Sequence, residues 1–157
     1  MIVEILKVPE EGRRYVGTES PEILDLRPED QIRSASQPID YELFVEVLSA
    51  DLIVRGVVSA TVGLVCSRCA EIFSTFVSDS AFLRAYEIEP DQEAVDITPD
   101  LRDAILLHAP SFPLCSEDCA GLCPQCGVNR NREECSCRGD ETDLRWNSLD
   151  TLRFDKE

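Results

Sequence analysis

The residues of this chain best equipped for chemistry are its eight cysteines, and they are not spread evenly. Cys66 and Cys69 form one Cys-x2-Cys pair, and the other six fall between Leu114 and Arg138 as Cys115-x3-Cys119, Cys123-x2-Cys126 and Cys135-x-Cys137. Thiolates at such spacings converge on one cation, and Cys-x2-Cys is a recurring zinc-knuckle spacing. The most specific run is Cys123-Pro124-Gln125-Cys126-Gly127. A knuckle of this kind aims backbone amides at its thiolates, and Gly127 tolerates the positive φ that the turn demands. A structural zinc takes four ligands in a tetrahedron and leaves no open position, so eight sulfurs imply about two structural Zn2+ ions.

Two divisions of the sulfurs satisfy that count. In one, Cys66, Cys69, Cys115 and Cys119 form a first site, and Cys123, Cys126, Cys135 and Cys137 form a second, local one. The other is a zinc ribbon in which Cys66/Cys69 and Cys123/Cys126 share a metal, leaving Cys115, Cys119, Cys135 and Cys137 to make another site or stay free. Loop-closure entropy favours the local site of the first division, whereas its companion staples a loop of roughly forty-five residues.

Disulfides are the rival use of eight cysteines. The start, Met1 to Gly17, is charged and lacks the basic flank, apolar segment and small-residue cleavage site of a signal peptide. No apolar run reaches the roughly eighteen residues that would span a bilayer. The expectation is a cytoplasmic, reducing location with no membrane association, where clustered cysteines bind metal more often than one another.

Charge bounds the partners. Thirty-one acidic residues against 15 basic ones give a formal charge of −16, and four thiolates on a dication add two more negative charges per site. Such a field repels phosphate backbones and attracts basic proteins. From Glu87 to Asp103 there are seven acidic residues (Glu87, Glu89, Asp91, Glu93, Asp96, Asp100 and Asp103) against one arginine, Arg102. Their plain reading is a solvated loop leading into an acidic first helical turn; their functional reading is a docking surface for a basic partner.

The elements that must position the cysteines are mostly strands. Ile2 to Val8 reads as a strand, Arg13 to Pro38 gives mixed signals, Ser20-Pro21-Glu22 fits the start of a short helix through Leu26, and Asp30 to Pro38 reads as a loop. Tyr41, Leu43, Val45 and Val47 share one face of an extended strand, with Glu42 and Glu46 on the other. Leu52 to Val54, Val57 to Cys66 and Ile72 to Leu83 are again strand-like, with Gly56 at a bulge or bend and Cys66–Cys69 at a hairpin tip. Thr98-Pro99-Asp100 fits a helix start with Thr98 as N-cap, Leu101, Ala104, Ile105 and His108 lie on one stripe, and Pro110 ends the helix. The fold expected is α+β: a twisted antiparallel sheet with a flanking helix and a cysteine-rich C-terminal zinc-binding segment.

His108 is the only histidine. Near a helix C-terminus a cation is favoured, and the cysteines suffice as metal ligands, so it is read as structural. No nucleophile or carboxylate set stands out beside it, and all-cysteine ligation leaves no open position for a zinc hydrolase, so no enzyme is expected. A zinc-thiolate redox sensor is the alternative from another class.

The run Leu64-Val65-Cys66-Ser67-Arg68-Cys69, an acidic insert, a short helix and then Pro113-Leu114-Cys115-Ser116-Glu117-Asp118-Cys119-Ala120-Gly121-Leu122-Cys123-Pro124-Gln125-Cys126-Gly127-Val128-Asn129 resembles the YceD family of bacterial large ribosomal RNA subunit accumulation proteins. The resemblance runs from about Asp40 to Leu152. Asp143-Leu144-Arg145-Trp146-Asn147-Ser148-Leu149 is similar to the family's Asp-Pro-Arg-hydrophobic segment that begins a short helix, with Leu144 in place of the proline. Some members share only the upstream pair and the Cys115/Cys119 segment, and this pattern supports the first division of the sulfurs. The boundaries that follow are 1–110 for the sheet and helix core, 111–140 for the zinc-binding segment and 141–157 for a C-terminal short helix and tail.

The resemblance implies a non-enzymatic role in large ribosomal subunit biogenesis, in the accumulation of 23S rRNA. The charge of this chain then favours a basic ribosomal protein or a pre-large-subunit particle as partner. Arg130, Arg132 and Arg138 offer phosphate contacts, but so negative a body disfavours direct RNA contact.

Overall fold

Two long strands joined at the Cys66–Cys69 turn set the frame. The computed structural model describes residues 1–27, 30 and 32–137. Its strands are β1 (Ile2–Glu4), β2 (Arg13–Glu19), β3 (Ile32–Ser34), β4 (Ile39–Leu48), β5 (Asp51–Val65), β6 (Ile72–Glu87) and β7 (Ala94–Asp96), followed by helix α1 (Thr98–His108). The C-terminal short helix expected within 141–157 lies outside the described residues.

All pairings are antiparallel. β5 is the spine: β6 follows one of its edges from Asp51↔Glu87 to Val65↔Ile72. On the other edge β4 pairs from Leu48↔Asp51 to Asp40↔Ser59, and β3 takes the far end through Ile32↔Leu64. β2 extends the sheet beyond β4, and β1 pairs with β7 in a separate two-stranded ribbon. The α+β expectation holds, with antiparallel sheets and, among the described residues, one α-helix.

Burial follows the period of two that extended chain imposes. Leu52, Val54, Val58, Ala60, Val62 and Leu64 of β5 point into the core, and Leu43 and Val45 of β4 join them. Leu101, Ala104 and Ile105 of α1 cover this face, so three of the four residues of the stripe read from the sequence are buried, while His108 at the helix end is exposed. β6 changes phase midway. Val77 and Asp79 are buried and then Phe82 is, because Gly56 pairs with Phe82 while Val58 pairs with Asp79, which puts the extra residue of a bulge on β6. Gly56, expected at a bulge, has φ 155, and a Cβ there would lie 2.0 Å from the Glu42 carbonyl oxygen.

Four local expectations are corrected. The first strand ends at Glu4 rather than Val8, because its three-residue partner β7 runs out and Ile5–Lys7 closes a 3₁₀ turn. The helix expected from Ser20 to Leu26 is a single 3₁₀ turn, Pro21–Leu24: Ser20 Oγ accepts from the Glu22 amide at 3.3 Å, but Asp25 turns left-handed at φ 44 and stops it. Arg13–Glu19 and Ile32–Ser34, expected as a mixed stretch and a loop, are strands, each held by pairing to a longer neighbour. Thr98 does not cap α1. It begins the helix, and the Asp96 carboxylate accepts its amide at 2.9 Å, while Ile97 O accepts from Asp100 and Leu101.

Candidate metal centres

The first centre grows from the tip of the β5–β6 hairpin. The Cys66 amide donates to Glu71 O at 2.8 Å and the Ala70 amide to Cys66 O at 2.9 Å, a tight turn that Ala70 completes at φ 60. Ser67 N–H donates to Pro113 O at 2.8 Å, which draws the segment after α1 alongside. Arg68 fixes the second half of the ligand set: its Nη1 donates to Glu117 O at 2.9 Å and Cys119 O at 3.1 Å. Cys66 Sγ then stands 3.8 Å from Cys119 Sγ, and Cys69 Sγ 3.7 Å from Cys115 Sγ. Four sulfurs around one ion at a zinc–sulfur distance of about 2.3 Å define tetrahedron edges of about 3.8 Å, so these spacings fit a bound ion.

The second centre is local. Cys123 N–H donates to Val128 O and Gly127 N–H to Cys123 O, both at 2.8 Å, with Gly127 at the positive φ expected of it, 76. Arg132 and Glu133 amides converge on Asn129 O and turn the chain toward Cys135 and Cys137. The ligand atoms of Cys66, Cys69, Cys115 and Cys119 all lie within 4.8 Å of one another, as do those of Cys123, Cys126, Cys135 and Cys137. The eight sulfurs therefore fall into the first division, and the knuckles Cys66/Cys69 and Cys123/Cys126 belong to different groups. Each group could hold one metal ion.

Proton affinities within the groups are split. Burial pushes the Cys66 thiol up, but the amides of Cys69, Cys115 and Arg68 outweigh it and bring it down to about 6. The amides of Cys126 and Gln125 likewise bring Cys123 down to about 6. Hydrogen bonding to Cys119 drives Cys115 up to about 12, and hydrogen bonding to Cys126 drives Cys137 up to about 12. For Cys69 the Glu71 amide pulls down, yet burial and the neighbouring Cys66 and Cys119 thiols leave it raised. Each group thus contains one sulfur prepared as a thiolate beside another that resists ionisation, because four negative charges cannot share so small a volume. A cation at the centre removes that conflict.

A fit to metal on these spacings meets independent likeness in known proteins. The family model of "Large ribosomal RNA subunit accumulation protein YceD" matches residues 80–153, a stretch that contains six of the eight cysteines. An uncharacterized protein of Mycobacterium tuberculosis is 34% identical over 75% of this chain and 67% of its own length. The chain belongs to the YceD family. The chloroplastic YCED homolog 1 of Arabidopsis thaliana, whose name also refers to large ribosomal RNA subunit accumulation, is 33% identical over 41% of this chain and 20% of its own. An uncharacterized protein of Mycobacterium leprae is 30% identical over 59% and 49%. No solved structure gives a significant match.

Other residues of this YceD-family chain take roles that the sequence did not reveal. His108 Nδ1 lies 2.9 Å from Ala104 O, and Nε2 lies 3.6 Å from Oδ1 of Asp79, a buried carboxylate that also accepts the Ala81 amide. This is a helix-end contact to the β6 bulge, with no sulfur of either centre in it. Arg132, weighed as a phosphate contact and disfavoured on charge, is paired with Glu71 at 2.8 Å, and Arg138 lies outside the described residues. The sequence does not reveal Arg68 and Asn131 as supports of the metal groups, since neither is a metal-ligand residue type. The one available signal for Arg68 was its position inside the first Cys-x2-Cys. Among the described residues no helix is long and apolar enough to cross a membrane.

Proposed function

We propose that this YceD-family chain is a non-enzymatic factor in large ribosomal subunit biogenesis, stapled by two structural Zn2+ ions and acting in the cytoplasm on a basic ribosomal protein or a pre-large-subunit particle. The observation that carries the reading is the convergence of eight cysteine sulfurs into two four-sulfur groups in a chain of a family named for ribosomal RNA accumulation. Soft thiolates in a tetrahedron select zinc or an iron–sulfur cluster, and the knuckle spacings favour zinc. Four sulfur ligands fill the coordination sphere, so the metal's part is to hold the fold rather than to activate water.

The charge supports a basic partner. Glu87, Glu89, Asp91, Glu93, Asp96 and Asp103 are all exposed, while Asp100 is tied to Arg84 and Tyr86. A protein of formal charge −16 draws in cationic proteins and repels phosphate backbones unless a partner neutralises it. Affinity capture from cells with and without nuclease tests this. Recovery of a basic ribosomal protein after nuclease treatment is the expected result. Loss of every ribosomal component on nuclease treatment would replace it with direct RNA binding.

A further inference from the structure

We propose that Asn131 couples the two metal centres, so that the first holds its metal more tightly and for longer when the second is filled. The inference rests on the two-centre reading above. Asn131 lies in the loop between Cys126 and Cys135, inside the second centre, yet its Nδ2 donates to Cys119 Sγ of the first at 3.3 Å. The same side chain is held from three sides. Its Nδ2 also donates to Asn129 Oδ1 at 2.8 Å, its backbone amide donates to that oxygen at 3.0 Å, and its Oδ1 accepts the Ala120 amide at 2.7 Å.

The loop also reaches the first hairpin through Gly121 and Leu122. Arg130 N–H donates to Gly121 O at 2.9 Å, and the neighbouring Leu122 N–H donates to Arg68 O at 2.9 Å. Gly121 has φ 71, and a Cβ there would sit 3.0 Å from Arg68 O, so glycine makes this approach without the strain that any side chain would add. Arg132 completes the contact through Glu71 at 2.8 Å.

Four thiolates on a dication leave excess negative charge, and an amide donor to one sulfur stabilises that charge in place. Asn131 can supply the donor only while its loop is fixed. From Gly127 to Cys137 the chain has no helix or strand, just turns and one isolated bridge, Leu122↔Asn129, and it is largely exposed. Its order therefore depends on Cys123, Cys126, Cys135 and Cys137 meeting at one ion. Exposure also sets the sequence of events. In the first group Cys66, Cys69 and Cys119 are buried and Cys115 is exposed; in the second only Cys123 is buried, with Cys126 exposed and Cys135 and Cys137 half-buried, so the second centre is the more open of the two to a chelator.

The test uses the full-length protein. Zinc release to a colorimetric chelator is followed for wild type, Asn131→Ala, Cys135→Ser/Cys137→Ser and the combined variant. Either set of substitutions is expected to speed first-centre release about ten- to a hundred-fold, and the combined variant to add little to the faster of the two. Equal first-centre rates in wild type and Cys135→Ser/Cys137→Ser, or fully additive effects, overturn the proposal. Two further readouts are spectroscopic, and the first of them needs no mutant. In cadmium NMR of wild-type protein, the first-centre resonance should fade only after the second; loss in the reverse order overturns the coupling. With cobalt in the first centre, Asn131→Ala should red-shift the sulfur-to-cobalt charge-transfer band, and an unmoved band shows that the amide does not act on Cys119. Metal analysis separates the two failures. No metal in wild type defeats the two-centre reading, while two equivalents released independently defeat the coupling alone.

Discussion

Cys66 Sγ lies 3.8 Å from Cys119 Sγ although 53 positions separate them in the chain. The contact closes a loop that contains all of β6, β7 and α1, and Cys66 also accepts the amides of Arg68 and Cys115, each at 3.4 Å. Cys126, by contrast, is exposed and belongs to the local centre.

The two positions should therefore respond differently to serine. Cys66→Ser is expected to lose the first metal and about 3 kcal/mol or more of stability, on the scale of removing a staple that closes a long loop. Cys126→Ser should halve the metal content while leaving the unfolding transition of the sheet largely in place. Metal analysis beside thermal denaturation decides it, and equal loss of stability in both variants would contradict the assignment.

How far the sequence announced this arrangement depends on the range of the interactions involved. The cysteine spacings, the hairpin tip at Cys66–Cys69, the alternation in Tyr41–Val47 and the stripe Leu101, Ala104, Ile105 are local patterns, and each reads directly into structure. β2 and β3 were not legible, because Arg13–Glu19 buries no residue fully and Ile32–Ser34 is three residues long; only their ladders to β4 and β5 define them. The division of the sulfurs could be weighed but not fixed, since Arg68 selects Cys119 through backbone carbonyls that no spacing reveals. The N-cap of α1 is Ile97 rather than Thr98, and the first helical amide goes to Asp96, because β7 delivers the aspartate two residues before the helix in position to accept it.

Gly56 is a place where one added methyl has a predictable effect. A Cβ would stand 2.0 Å from Glu42 O and 2.9 Å from the Leu43 Cα, both backbone atoms of the central ladder that cannot swing aside. Gly56→Ala should cost about 2–3 kcal/mol through overpacking and an unfavourable φ. Denaturant titration measures it, and a shift under about 0.5 kcal/mol, the range of an unremarkable surface change, would show that the bulge relaxes freely.

The Asp96 carboxylate sits below its ordinary range because the Thr98 hydroxyl and amide both donate to it, with the N-terminal ammonium nearby. Asp96→Ala removes the side-chain acceptor of the first helical amide of α1. A loss of about 1 kcal/mol is expected in thermal unfolding. Thr98→Ala keeps the backbone donor and should cost less; the reverse ranking would assign the cap to the hydroxyl.

Tyr86 joins the start of α1 to β6, and its ionisation gives the fold an alkaline limit. The Tyr86 hydroxyl donates to Asp100 Oδ2 at 2.6 Å, while Arg84 Nε donates to Asp100 Oδ1 at 2.9 Å. Burial, and then the Asp100 carboxylate beside the ring hydroxyl, hold Tyr86 well above its ordinary value of 10.0. Tyr86→Phe should cost about 1–2 kcal/mol near neutral pH, the net worth of a hydrogen bond to a charged group at a half-buried site. Because the folded-state value is raised, the advantage of wild type over Tyr86→Phe is fully present below pH 10 and declines as pH rises toward the folded-state value: the unfolded chain ionises its tyrosine there, and the folded chain does not. Chemical denaturation of both proteins from pH 8 to above 10 should show the two stabilities converging, and a difference that stays constant or widens over that range would mean that Tyr86 does not keep its proton on Asp100.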